Sequence, residues 1–213
     1  MNMNPFKKGI TRRDFVIVAA ATVGCTCLKL DCLKAYAMES KDEAAQKNEI
    51  LVAPCGLYCG ACPMYIATQS NDKEKLDAMV KQFSSGPVNL KLEDILCDGC
   101  IGNGRVASFC RNCEMRKCAQ DKENVTRCSD CKEEPCDKVT KFNNDGMPHH
   151  GEVLENLSQL KKMGIEKWAK SEKERWSCTK CGLQIAWYDS KCSGCGAPRS
   201  DKLFTLRPFP KQP

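Results

Sequence analysis

A small, irregular α+β module, with a few helices and cysteine-bound metal in place of a large core, is what three features of this sequence predict. Eighteen of its 213 residues are cysteine, while Phe, Trp and Tyr together reach only 7%. So few aromatic side chains bury little area, and cross-links or metal ions must supply part of what a core supplies elsewhere. Residues 71–85 and 151–176 have helical spacing, and residues 183–188 alternate as a strand does. That strand lies between two cysteine pairs and predicts a C-terminal zinc ribbon.

The first 37 residues read as a targeting segment. Thr11-Arg12-Arg13-Asp14-Phe15 leads into FVIVAAATVG, an apolar run too short to span a bilayer comfortably. Paired arginines, a polar residue and then Phe predict a twin-arginine export signal. The partner is then the twin-arginine translocation machinery, and the destination the periplasm or cell envelope. Ala35-Tyr36-Ala37 has the small-x-small pattern of a cleavage site, after which we place the boundary. Cys25 offers lipidation instead, although Thr22 fits that signal poorly, and an uncleaved anchor is the third arrangement. Membrane attachment is expected only through lipid on Cys25 or such an anchor. Cys25, Cys27 and Cys32 belong to this segment, leaving fifteen cysteines for the body.

The charge of +6 is concentrated at the N-terminus. Residues 1–37 hold six Lys/Arg against two Asp, so the rest carries 27 basic and 25 acidic residues. A body so near neutral has no global attraction for phosphate backbones, and no nucleic acid is expected.

Residues 38–50 are polar and read as a linker before a cysteine-rich segment, 51–142. Within it, Asn71 and Glu74 form a capping pair for a helix whose Leu76, Met79, Val80 and Phe83 share one face. Gly86-Pro87 stops that helix. From 97 to 136 eight cysteines stand among charged residues with almost no apolar period. In the helical segment 143–176, Val153, Leu154, Leu157 and Leu160 are followed by a break at Gly164 and then Ile165, Trp168 and Ala169. These stripes predict core. The ribbon spans 177–198, and the basic, proline-rich tail 199–213 is expected to be loosely ordered.

Six pairs have the spacing CxxC: 59/62, 97/100, 110/113, 128/131, 178/181 and 192/195. Cys110-x2-Cys113-x4-Cys118 also recurs eighteen residues later as Cys128-x2-Cys131-x4-Cys136. The two-residue gap lets one tight turn aim two sulfurs at one ion. Structural disulfides are the competing organiser in an oxidising envelope. Against them, disulfide frameworks join distant cysteines, and fifteen is odd. Metal inserted before export would also protect the thiols.

Cys178, Cys181, Cys192 and Cys195 make the plainest site, each pair followed by a glycine that suits a left-handed turn. Zinc is expected there, although rubredoxin-type iron uses the same geometry. Cys97, Cys100, Cys110 and Cys113 make a second set, and Cys118, Cys128, Cys131 and Cys136 a third. Cys55, Cys59 and Cys62 then lack a fourth ligand, for which His150, and after it His149, are the candidates. Radical-SAM enzymes space cluster ligands as CxxxCxxC, but the strand–helix alternation of their barrel is missing. So is the βαβ context of a thioredoxin dithiol, and so is the ferredoxin spacing. An iron–sulfur cluster in the 55–136 region remains the alternative to zinc.

Taken together, the run from Pro54 to Pro63, Cys97-Asp98-Gly99-Cys100, Cys110 to Cys113 with Met115-Arg116-Lys117-Cys118-Ala119, and Cys128 to Cys131 with Pro135-Cys136 resemble domain of unknown function family 3795 over residues 52–142. The resemblance implies a cysteine-rich metal-binding module and supplies no reaction. No Ser/His/Asp set, paired-carboxylate motif or phosphate-cradling loop stands out. The sequence therefore predicts an exported, non-catalytic metal-binding protein that binds a partner or serves as an accessory module. The alternative is an iron–sulfur electron-transfer protein attached to an exported redox enzyme.

Overall fold

The computed structural model describes residues 46–84 and 88–208, which lie within one contact unit, Ala44–Pro213. The export signal, the first part of the linker and the Gly86-Pro87 stop lie outside the described residues. None of the described helices is long and apolar enough to cross a membrane.

Among the described residues, eight α-helices follow a helical turn at 46–51. They are α1 (Pro63–Gln69), α2 (Lys73–Phe83), α3 (Leu92–Ile95), α4 (Ser108–Arg111), α5 (Glu114–Gln120), α6 (Asp137–Asn143), α7 (Val153–Met163) and α8 (Ile165–Arg175). Three of them begin directly after a cysteine: Cys62, Cys113 and Cys136 occupy the N-cap positions of α1, α5 and α6. The CxxC turns themselves close with one short bond each, Cys62 N–H to Cys59 O at 3.0 Å and Cys131 N–H to Cys128 O at 3.0 Å.

The expected α+β class is overturned, and no ribbon is shown, although its four cysteines come together. The described residues contain no sheet, only three isolated bridges: Val52 with Tyr58, Ser177 with Gln184, and Lys191 with Pro198. The backbone of 183–187 is committed elsewhere. Leu183 O accepts from Cys178 N–H at 2.8 Å, Ile185 N–H donates to Trp176 O at 2.8 Å, and Trp187 N–H reaches Ala61 O at 2.9 Å. Burial does not alternate either, because Leu183 is 45% exposed while Ile185 and its neighbour Ala186 are both buried. The fold is helical, with cysteine loops between the helices.

Helix boundaries follow the pattern closely. The cap of α2 is Asp72 rather than Asn71: its carboxylate accepts Lys75 N–H at 3.1 Å, while Asn71 turns with φ +52°. Leu76 packs with Ala67 and Ile95 in a small cluster that Met79 and Val80 cover. The α7–α8 break falls on Gly164, φ +77°. Val153, Leu157, Leu160, Trp168 and Ala169 are all buried, so the two stripes are core.

The main core joins distant parts of the chain. Leu51, Val52 and Tyr58 meet Met115, Val139, the α7 and α8 stripes, Trp176, Ile185 and Leu203. Gly56 is where α7 comes closest to the first cysteine loop. A Cβ there would stand 2.8 Å from Leu157 Cδ2, and its φ of +84° also favours glycine. Arg127, 2% exposed, reaches back to donate to Val52 O at 3.1 Å and Glu49 O at 2.7 Å, and pairs with the Glu49 carboxylate at 2.6 Å. Beside it Cys128 N–H donates to Pro54 O at 2.8 Å, so the third cysteine segment is pinned to the first. Leu203 is buried, and Phe204 packs edge-on against Trp176 at 5.5 Å.

Candidate metal centre

All fifteen described cysteines are free thiols. Four converge. The sulfurs of Cys178, Cys181, Cys192 and Cys195 lie within 4.8 Å of one another, and no other His, Cys, Asp or Glu group among the described residues is so gathered. Cys178 and Cys195 are 3.6 Å apart, Cys181 and Cys192 3.5 Å. A tetrahedron of thiolates with bonds of about 2.3 Å has edges of about 3.8 Å, so the spacing suits a single ion.

Two loops of the same construction build this site. Cys178 N–H bonds Leu183 O and Gly182 N–H returns to Cys178 O; Cys192 N–H bonds Ala197 O and Gly196 N–H returns to Cys192 O. Gly182 and Gly196, at φ +74° and +70°, supply the left-handed step. The N–H groups of Cys181 and Lys180 bring the Cys178 thiol down to about 6. At Cys195 the Ala197 N–H also pulls downward, but the Cys181, Cys178 and Cys192 sulfurs outweigh it and push the thiol up to about 12. Four sulfurs this close repel one another as thiolates unless a cation sits among them.

Side chains that the spacing of cysteines does not reveal fix the site to α8. Trp176 is buried, and its Nε1–H donates to Glu172 at 3.2 Å. Arg175 bonds the same carboxylate at 2.9 Å and holds Glu152 through two bonds of 2.8 Å. Burial raises Glu172, against the pull of Arg175. Gln184 Nε2 donates to Trp176 O at 2.9 Å, tying the first loop to this network. The sequence showed only Glu172 with Arg175 three residues on in a helical stretch, a pattern common on solvated helix faces.

The eleven central cysteines have electrostatic neighbours both within and across the expected sets. Cys59 lies near Cys100, and Cys100 near Cys110. Cys62 lies near Cys110 and Cys97, and Cys55 near Cys113, Cys110 and Cys128. The expected 97/100/110/113 set thus shares a neighbourhood of seven thiols with Cys55, Cys59 and Cys62, and Cys128 adjoins it beside Cys55 and Cys113. Burial dominates at Cys62, pushing it up to about 12 against the N–H of Tyr65. Cys118, Cys131 and Cys136 stand instead around Cys128, which burial, then Cys136 and Cys118, push up to about 12.

The histidines have other partners than thiols. His150 Nδ1 pairs with Asp145 at 2.7 Å, and its ring lies 3.7 Å from that of Phe142. His149 Nδ1 bonds the Tyr188 hydroxyl while its ring stacks on Trp187 at 4.3 Å. Burial, then the adjacent His150, hold His149 down at about 3. The unfolded chain therefore takes up this proton first as pH falls below 6.5, and stability from the neutral ring is lost between there and about 3. Urea midpoints across that window should fall less steeply for His149→Asn than for the natural protein. Equal slopes would show that this ring titrates normally when folded.

These observations define a class: a helical, thiol-organised protein with one four-cysteine site sized for a metal ion. A family model described as a protein of unknown function, DUF3795, matches residues 51–141, so this segment is similar to that family. The match ends before α7, and the four-cysteine site lies outside it. No curated protein and no solved structure matches the chain.

Proposed function

We propose that this is an exported, non-catalytic metal-binding protein whose Cys178, Cys181, Cys192 and Cys195 hold one zinc ion, and that it serves the cell envelope as a partner-binding or accessory module. The observation that carries the reading is the sulfur geometry, two contacts of 3.5 and 3.6 Å within a group only 4.8 Å across. Zinc has no directional preference of its own and takes four thiolates readily. Four protein ligands leave no open position, so such an ion stabilises and turns nothing over.

Export fits the same chemistry. The twin-arginine pathway carries folded proteins, so thiols loaded inside the cell would arrive protected from oxidation. The partners are that translocation machinery and an exported redox or envelope protein. Zinc assay of the purified chain should find an ion that is lost when Cys192 becomes Ser, whereas iron bound by these four cysteines would overturn the reading. Replacing Arg12 and Arg13 with Lys should keep the protein inside the cell, and undiminished export of that variant would refute the signal.

A further inference from the structure

The third set of four thiols is built on a larger scale than the C-terminal one. Cys118, Cys128, Cys131 and Cys136 all line one cavity of about 570 Å³ between α5, the loop 121–136 and α6. No three of these sulfurs approach one another within the 4.8 Å that encloses the C-terminal four. None is in a disulfide. A single tetrahedral ion needs sulfurs about 3.8 Å apart. Around this cavity they are too widely spread for that.

We infer that Cys118, Cys128, Cys131 and Cys136 are the ligands of an iron–sulfur cluster. The donor count favours it over a pair of zinc ions. Each iron of a cluster takes its remaining ligands from bridging sulfide, so four thiolates complete the assembly. Two zinc ions sharing four thiolates would each fall short of four ligands. Val139, 1% exposed, forms part of the same wall and limits water on that side.

A second observation points to the same place. Lys122 lines the cavity and donates from Nζ to Cys131 Sγ at 3.4 Å, while Glu133 orients the ammonium from 2.8 Å. An ammonium donating to a cluster thiolate favours the reduced, more negative state, so it raises the reduction potential. The inference goes beyond the zinc reading and does not depend on it. It would make the accessory module able to carry an electron.

The test uses the full chain, reconstituted anaerobically with ferrous iron and sulfide, and reads acid-labile sulfide, iron, and the paramagnetic signal after dithionite reduction. Labile sulfide and that signal are expected in the natural protein and are expected to be lost in Cys136→Ala. Absence of labile sulfide from the natural protein overturns the assignment. So does its loss in Cys110→Ala with retention in Cys136→Ala, which would put the cluster among the seven thiols. Lys122→Met leaves every thiol in place and guards against a Cys136 variant that fails to fold. It should keep iron and sulfide while shifting the potential downward; an unshifted potential means that no cluster sits against Cys131, and the assignment fails.

Discussion

Replacing Cys178 with Ser is expected to release the ion of the C-terminal site and to weaken the whole body of the protein. Metal binding at closed zinc sites contributes an apparent ~10 kcal/mol or more at neutral pH, comparable with the ~5–15 kcal/mol by which a domain is stable. The loss should not stay local. Cys178, Cys192, Ile185 and Trp176 share one core with Val52, Tyr58 and Leu157, and Trp187 N–H is bonded to Ala61 O at 2.9 Å. Limited proteolysis and amide exchange on the variant should therefore show opening in α7, α8 and the loop around Cys59 as well as in 177–198. Cleavage confined to residues beyond 176 would refute this and make the C-terminal loops a separate unit.

The second large effect is expected at Arg127. Arg127→Met should cost about 1–3 kcal/mol, the range for leaving a buried acceptor without its donor, because the Glu49 carboxylate is 46% exposed and can return to water. The guanidinium is 2% exposed and supplies the donors for Val52 O and Glu49 O as well as a partner for the Glu49 carboxylate. Methionine fills much of the volume but offers no donor, so carbonyls on a buried turn lose their partner. Arg105→Met is the control. Arg105 bonds Asp98 at 2.8 Å on the surface, with its side chain 56% exposed, and its loss should cost no more than about 1 kcal/mol. Urea unfolding of both variants measures the difference. Equal costs would show that the Arg127 contacts are not what joins residues 49–54 to the third cysteine segment.

The helices α2, α7 and α8 were the most legible part of this sequence, because their signal is local, whereas the short helices α1 and α3 to α6 carry no apolar period that announces them. The spacing of Val153, Leu157 and Leu160, the glycine at 164 and the following Trp168 describe α7 and α8 almost to the residue. The strand from Leu183 to Trp187 misled for an equally physical reason. Alternation implies a strand only when neighbouring backbone is present to pair with it, and here Trp176, Cys178 and Ala61 take those hydrogen bonds from single positions. Asn71 misled in a smaller way: the chain reaches Asp72 through a left-handed turn at Asn71, which moves the cap by one residue.

The C-terminal four-cysteine set was readable because both pairs are short-range, CxxC followed by glycine, and one ten-residue connection brings them together. Grouping the other eleven thiols was not readable. Their CxxC turns each fix two sulfurs, but which turns meet depends on long-range contacts such as Cys128 N–H to Pro54 O and Arg127 to Val52 and Glu49. Sequence by itself determined the inventory, the knuckle turns and the helices α2, α7 and α8, all set by interactions within a few residues. Only the tertiary structure decided that Cys59 meets Cys100, that His149 and His150 face Tyr188 and Asp145, and that one thiol set closes tightly while another lines a cavity. Those outcomes follow from how buried side chains pack across the whole chain, and no local spacing encodes that.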